Sequence, residues 1–336
     1  MAIHLTFTYL LCPVPLFLFD SDLQRVIRET GSLLIAFFVG ALSTIIGTIG
    51  AFALIPLKSL GEEGWKVASA LASRHIGGAI NFVAVADTLQ IEGSLISAAI
   101  AADNVVVALY FAFLFYLATA GEGETNNTDT TTTSIQSTKL EPSLSEEIIL
   151  PNEEEQVPIT TSSIVHSLAT SSLLVCVGSA ITAAVCPNLS SLVITSLLTV
   201  ISATMFKGYF AKLRTSGTAI GILFLQMFFA SSGAAGSLLL VLRRAPSLVA
   251  FSALQLFIHY AILMGVGKGV LRLKSNELYL ASNANVGGPT TAAAMAQAKN
   301  WSKLVLPALL VGVFGYATAT ALSLSLGPLL IRLATR

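Results

Sequence analysis

Long apolar stretches separated by short polar loops make up most of the chain. A helix needs about 20 residues to cross the hydrocarbon core of a bilayer. Six apolar stretches are long enough: 33–57, 94–120, 164–185, 218–242, 247–267 and 304–331. Two more, 3–19 and 192–206, are shorter, and two, 67–86 and 278–298, carry polar residues and Gly-Gly pairs. The pattern predicts an all-α, polytopic transmembrane helical protein with about ten spans.

The two interrupted segments resemble each other. The first contains Ala72-Ser73-Arg74-His75-Ile76-Gly77-Gly78, and the second contains Ala281-Ser282-Asn283-Ala284-Asn285-Val286-Gly287-Gly288-Pro289. Gly-Gly and Pro unwind helices and free backbone polar groups. In a membrane those groups must be satisfied by protein, water or a bound solute. Paired interruptions in two halves of a membrane protein are typical of a transport site.

The matching contexts predict a two-fold internal repeat with two discontinuous crossing helices. Residues 1–120 form the first repeat, 121–163 an acidic, Thr-rich disordered linker, and 164–336 the second repeat. The first repeat looks short at its N-terminus by about two spans; either it is incomplete, which we favour, or the fold is asymmetric. Orientation stays open: ten traverses give parallel halves, whereas an inverted repeat requires that Leu192–Phe206 only dips into the membrane.

Composition narrows the class of protein. Of the 336 residues, 54% are hydrophobic and 11% charged, whereas soluble domains have about 25% charged residues. The 18 basic and 18 acidic residues cancel, which does not suggest a nucleic-acid partner. Cys12, Cys176 and Cys186 lack metal-site spacing and are interpreted as packing residues. No cofactor or metal is predicted, and no catalytic motif indicates an enzyme.

Asp103 is the most informative charged residue, because it lies well inside an apolar segment. Intramembrane carboxylates are costly and usually functional. Asp103, beside Asn104, is therefore a candidate for binding H⁺ or Na⁺; the alternative is a structural pair between Asp103 and Arg74 or a lysine. Arg74 and His75 could pair with Asp103, cap the broken helix, attract an anionic substrate or relay protons.

Neutral residues at the two interruptions complete the candidate substrate- or ion-binding site. Their alternative role is hydrogen bonding between helices, worth about 0.6–2 kcal/mol per bond. Gln226, Gln255 and His259, the single polar residues of other spans, are interpreted as packing or interhelical hydrogen-bonding residues. The neutral candidates are Gly77, Gly78, Asn81, Asn283, Asn285, Gly287, Gly288, Pro289 and Thr290.

Three motifs resemble an uncharacterised membrane-protein family, domain of unknown function 819, whose plant members are labelled keratin-associated. They are Ala72 to Ala84, Ala101 to Asn104 and Ser282 to Ala293. That family resembles the cation/proton antiporter and anion transporter superfamily. The resemblance implies inverted repeats, helices crossing near the bilayer centre, a core domain that slides against a scaffold, and a coupling ion at Asp103-Asn104. It also suggests a plastid envelope or thylakoid location.

These observations favour a secondary active transporter of a small solute or ion, with alternating access around a midplane site. The expected partners are the lipid bilayer, the solute and a second copy of the chain in a homodimer. The alternative is a membrane scaffold or assembly subunit in which the polar residues serve only packing. A third reading, an intramembrane enzyme based on Asp87 and Asp103, lacks an accompanying motif.

Overall fold

The computed structural model describes residues 13–122, 158–185, 191–235 and 238–335, and within them it contains helices and no β-strand. The predicted linker lies mostly outside these residues, between a helix that ends at Glu122 and one that begins at Thr161. The predicted first span, Ile3–Phe19, is described only from Pro13 onward.

The helices of the N-terminal part surround the first interruption. They are α1 (Pro13–Leu18), α2 (Leu23–Thr30), α3 (Ser32–Leu54), α4 (Gly64–Gly77), α5 (Ala79–Thr88) and α6 (Gly93–Glu122). A 3₁₀ turn at Lys58–Glu63 precedes α4. The predicted segment 67–86 is therefore two helices, divided at Gly78.

The helices of the C-terminal part surround the second interruption. Its helices are α7 (Thr161–Val185), α8 (Ser191–Met205), α9 (Lys207–Ala235), α10 (Leu238–Met264), α11 (Ser275–Gly287), α12 (Pro289–Ala298), α13 (Ser302–Ser325) and α14 (Gly327–Ala334). A π-helical turn, Gly265–Val270, follows α10. The predicted segment 278–298 is likewise two helices, divided at Gly288.

Five stretches of the described helices are long and apolar enough to cross a membrane: Ser32–Leu54, Gly93–Thr119, Thr161–Val185, Pro246–Val270 and Ser302–Ala334. Ala79–Thr88 and Ser191–Met205 are shorter apolar helices. The prediction of a multi-pass helical membrane protein is thus confirmed at this level. The total of about ten spans stays a prediction.

Two predicted loops of the C-terminal part are wrong. Residues 207–214 were expected to form a basic loop, but they are the first two turns of α9. Phe210 and Leu213, three residues apart, are buried there, and Phe210 packs against Phe19 with ring centroids 5.2 Å apart. Lys207, at the start of α9, forms an ion pair at the surface, because its Nζ lies 2.8 Å from Asp22 Oδ2. A turn with one apolar and one charged side is stable as a helix.

The second correction concerns residues 243–246, which were expected to separate two spans. They lie inside α10, and α9 ends earlier, at Ala235. Pro246 therefore occurs within a helix. Proline is tolerated within membrane helices because neighbouring groups satisfy the carbonyl that it leaves free. The apolar stretch Pro246–Val270 still matches the predicted span 247–267 closely.

Close approach of α3 and α10 builds the centre of the molecule. A side chain at Gly47 would place its Cβ 2.7 Å from the Gln255 carbonyl oxygen. Small residues at helix interfaces let backbones approach in this way. The crossing of α4, α5, α11 and α12 packs beside this pair, with α6 and α13 against it. A smaller apolar cluster joins α1, α7, α8 and α9.

The two interrupted helices also end alike. α5 is followed by Gln90 with φ 52°, and α12 is followed by Asn300 with φ 56°. One residue later, the Ile91 amide donates to the Ala86 carbonyl at 3.0 Å and the Trp301 amide donates to the Ala296 carbonyl at 2.8 Å. Gln90 follows Gly78 by the same number of residues as Asn300 follows Gly288. The likeness of the two segments therefore extends from sequence to backbone conformation.

Candidate functional site

Each interruption is a single glycine between two helices. Gly78 has φ 81° and ψ −178°, and Gly288 has φ 91° and ψ −167°. This region of backbone conformation is accessible essentially only to glycine. The helices on either side cannot continue through it. At each break, the last carbonyls of one helix and the first amides of the next therefore have no partner within their own helix.

The two breaks lie against each other. A Cβ on Gly78 would sit 3.3 Å from the Gly287 carbonyl oxygen and 3.5 Å from Gly288 Cα. α13 packs over both, because side chains at its Gly312 and Gly315 would meet the backbone at Pro289 and Gly77 respectively. Gly77-Gly78 and Gly287-Gly288 therefore lie together, as two crossing helices require; their position at mid-membrane depth stays a prediction.

A buried charged cluster adjoins the first break. Arg74 and His75, in the last turn of α4, both reach Asp103 on α6. Arg74 Nε pairs with Asp103 Oδ2, and His75 Nε2 lies 2.9 Å from Asp103 Oδ1. Asn104 accepts from Arg74 Nη2 at 2.6 Å through its Oδ1. The opposite charges of Arg74 and Asp103 compensate each other, as the structural alternative for Asp103 expected.

The end of α4 is fully hydrogen-bonded. Its last four carbonyls belong to Arg74, His75, Ile76 and Gly77, and no later amide of the same helix can reach the last three. The Gly78 amide donates to the Arg74 carbonyl at 2.7 Å. The other three carbonyls accept from side chains: Thr44 at 3.1 Å, Asn285 at 3.2 Å and Asn81 at 2.8 Å. Side chains from three different helices therefore cap one broken end.

Asn81 is itself held by α13. Its Nδ2 donates to the Gly77 carbonyl, and its Oδ1 accepts from Thr320 Oγ1 at 2.7 Å. Both ends of this buried amide are thereby satisfied. Asn81 therefore helps to hold the first break in its conformation.

His259 on α10 lies at the centre of a second buried network. Its Nδ1 is 3.0 Å from the Gly40 carbonyl oxygen, which can only accept, so Nδ1 carries the proton. In the neutral imidazole, Nε2 then accepts from Ser282 Oγ at 3.0 Å. Ser282 Oγ in turn is 2.5 Å from the Tyr110 hydroxyl, which donates to it. Neutral His259 thus joins α3, α10, α11 and α6.

The remaining candidates fall into two groups. Asn283 is buried, but its Nδ2 reaches only the Met295 sulfur at 3.4 Å, and its Oδ1 has no protein partner among the described residues. Pro289 begins α12 and packs under Gly312. Thr290 and Asn104 are exposed. The structure therefore brings the sequence candidates to one crossing, but it does not bury all of them.

Sequence reasoning missed several residues of these networks: Gly40, Thr44, Tyr110, Ser252, His259 and Ser282. Of these, only His259 gave a signal, as a histidine in an apolar span; it was interpreted as a packing or interhelical hydrogen-bonding residue, and it does make interhelical hydrogen bonds. Thr44 and Gly40 lie in an ordinary small-residue stretch of α3. Ser252 lies beside the Asp103 carboxylate, from α10. These roles depend on which helices meet, and spacing along one helix does not reveal that.

Comparisons with known proteins agree with this architecture. A family model described as "Protein of unknown function (DUF819)" matches residues 4–333. A relative from Bacillus subtilis (strain 168), "Uncharacterized membrane protein YjcL", is 30% identical over 323 residues. That match covers 90% of this chain and 77% of the relative.

Proposed function

The chain belongs to the DUF819 family of membrane proteins, and we propose that it is a secondary transporter of a small solute or ion. In this proposal the solute binds where the two broken helices cross, and access alternates between the two sides of the membrane. The coupling ion is H⁺ or Na⁺. The proposal also includes the wider resemblance to the cation/proton antiporter and anion transporter superfamily.

One observation carries the proposal: two glycine breaks touch each other beside a buried charged cluster. Neither feature is needed to span a membrane. An unbroken helix satisfies its own backbone, and charged side chains are expensive inside a bilayer. Breaks and charges in the same place are typical of transporters, in which unwound backbone and intramembrane charges bind the solute.

The matched backbone of the two segments supports a two-fold repeat. Gly78 and Gly288 share one conformation, and the turns at Gln90 and Asn300 share another. Transporters built from repeats place their binding site at the repeat interface. In this chain the contact between Gly78 and Gly287-Gly288 would be that interface. The orientation of the repeat, inverted or parallel, stays a prediction.

The ion pair restricts how Asp103 could act in coupling. Both carboxylate oxygens already have partners, Arg74 on one and His75 on the other. A proton or Na⁺ that binds Asp103 would therefore compete with these partners for the carboxylate oxygens. Arg74, whose guanidinium also reaches exposed Asn104, is the partner nearer to the surface. We propose that release of Arg74 from Asp103 accompanies ion or solute binding.

The scaffold reading has one observation in its favour, since the Arg74–Asp103 pair needs no ligand to be compensated. The two functions separate in a solute-uptake screen. Purified protein would be reconstituted into proteoliposomes and tested for uptake of amino acids, organic anions, sugars and inorganic ions, with and without a pH or Na⁺ gradient. A transporter gives gradient-dependent uptake of at least one solute class, whereas a scaffold gives none.

A matched pair of variants makes the screen specific. Gly208→Ala changes a glycine of α9 at which an added Cβ would meet no neighbouring side chain or helix within 4 Å, so it should retain wild-type uptake. Asp103→Asn removes the carboxylate at the crossing and should lose gradient-dependent uptake. Equal uptake by both variants would contradict a coupling role for Asp103.

A further inference from the structure

We infer that Asn285 is a positioning residue, which caps the first broken helix from the second, and not a solute-binding group. The inference rests on hydrogen bonds that are present in the structure. It goes beyond the proposed transport function and holds whether or not the chain transports a solute.

The contacts of Asn285 assign its amide orientation. Nδ2 lies 3.2 Å from the Ile76 carbonyl oxygen and 3.5 Å from the Phe37 carbonyl oxygen. Both oxygens can only accept, so the NH₂ group must face them; a flipped amide would place oxygen against oxygen. Ile76 is at the end of α4, and Phe37 is on α3. A single side chain of α11 therefore binds the backbone of two other helices.

A glycine makes room for this amide. Asn285 Oδ1 lies over Gly40 of α3, where any side chain would collide with it. The His259 ring lies at the same position, with its Cε1 3.4 Å from where a Cβ on Gly40 would be. Gly40 has a helical backbone, which any residue can adopt. Its missing side chain therefore matters because it leaves room for Asn285, and not because of the backbone conformation. Asn285 Oδ1 has no hydrogen-bond donor among the described residues, and the NH₂ group is the half that is used.

The equivalent position of the first break has a different role. Asn285 and His75 each lie three residues before the glycine at which the helix stops. His75 turns to the Asp103 carboxylate, and its own carbonyl accepts from Thr44. Asn285 instead reaches across and binds the residue after His75. The second break thus supplies a cap to the first.

The geometry has a mechanical consequence. Any motion that separates α11 from the end of α4 must break the bond between Asn285 and Ile76. A buried carbonyl without a partner is costly. The two broken helices are therefore expected to keep their relative position, and Asn285 is the side chain that enforces it.

Asn283 provides the matched control. It is two residues away on α11 and about equally buried, but within the described part of the chain the one hydrogen bond of its amide goes to a thioether. Variants Asn285→Ala, Asn285→Asp and Asn283→Ala would be purified in a background without Cys12, Cys176 and Cys186. Two measurements are made: the thermal midpoint, and the distance between spin labels at Glu62→Cys before α4 and Lys274→Cys before α11, both exposed.

The cap predicts that Asn285→Ala lowers the thermal midpoint by about 5 °C or more and broadens or shifts the label distance. Asn285→Asp should be at least as damaging, because a carboxylate would face two carbonyl oxygens. Asn283→Ala should leave the label distance unchanged. An Asn285→Asp variant as stable as wild type would overturn the cap, since that is the outcome expected of an oxygen ligand for a cation.

A second pair of variants, at Gly40 and Asn285, tests the cap if one of the first variants does not accumulate as folded protein. Gly40→Ala should destabilise the protein by pushing against Asn285. Gly40→Ala with Asn285→Ala should be more stable than Gly40→Ala alone, because the collision is gone. A double variant less stable than either single variant would contradict the assignment.

Uptake measurements separate this inference from the proposed function. Lost uptake by Asn285→Ala at wild-type midpoint and label distance would contradict the cap and leave the transport proposal standing. An absence of uptake by the wild-type protein would contradict transport and leave the cap untouched.

Discussion

The two breaks share a backbone but differ in chemistry. At equal distance before their glycines, the first has Arg74 and His75, and the second has Ala284 and Asn285. The first is tied to α6 by an ion pair, whereas the second is tied to α3 and α4 by a neutral amide. Glycine therefore determines where each helix stops, and the residues before it determine what the break can bind.

This division of roles has a physical reason. A second buried Arg–Asp pair would carry another large desolvation cost. A neutral amide holds a helix end at far lower cost. With the charges confined to the first break, the second break serves to hold the helices in position. Variants at both breaks test this division of roles through their effects on stability.

Removal of the carboxylate should have the largest effect on stability. Asp103→Asn leaves the buried Arg74 guanidinium without its counter-charge, and such a change costs about 3–5 kcal/mol of unfolding free energy. The measurement is chemical or thermal unfolding of the purified variant. Glu29→Gln, which breaks the exposed Arg28–Glu29 pair, is the control and should cost about 0–1 kcal/mol. A stable Asp103→Asn protein would show that the ion pair does not hold the first break.

Replacement of the break glycines should cost about the same at both sites. Gly78→Ala and Gly288→Ala each force a side chain into a conformation that costs about 1–3 kcal/mol, and each meets neighbours within 3.5 Å. Gly208→Ala on α9 should be neutral or stabilising, because alanine favours a helix. Unfolding of the three variants side by side checks this. A large difference between the first two would argue against a shared backbone role.

The smallest difference concerns the residue four positions after the first glycine of each pair. Asn81 bonds both to the Gly77 carbonyl and to Thr320, whereas the Thr291 hydroxyl has one partner in the described segments, the Gly288 carbonyl at 3.2 Å. Asn81→Ala should therefore cost about 2 kcal/mol, and Thr291→Ala about 1 kcal/mol or less. The difference can be read from denaturant midpoints. The reverse order would mean that the second break depends more on its side-chain cap.

The sequence predicted the parts of this site that depend on local chemistry. Gly78 and Gly288 were identifiable because adjacent glycines unwind a helix and because their contexts match, and Asp103 because charge is costly inside a membrane. Its pairing with Arg74 was one of the stated alternatives. The span limits were predicted within a few residues, except around α9 and α10, where charged or proline-containing stretches are helical.

The rest depended on contacts between distant segments. Thr44 caps α4 only because α3 packs beside it, and Gly40 matters only because Asn285 and His259 meet there. Neither residue differs in type from its neighbours on α3, a helix rich in Gly, Ala, Ser and Thr. Small residues in a membrane helix indicate close packing, but they do not tell which side chain will fill the space.

The most direct test of a transport role for the charged cluster is gradient-driven uptake by the neutral double variant Arg74→Gln/Asp103→Asn. Removal of both charges leaves no unpaired ion, so stability should return to within about 1–2 kcal/mol of wild type. If the charged cluster is part of the transport site, this stable protein should have lost uptake of any solute that the wild type accumulates. Wild-type uptake at restored stability would contradict the account, because the charges at the first break would then serve folding alone.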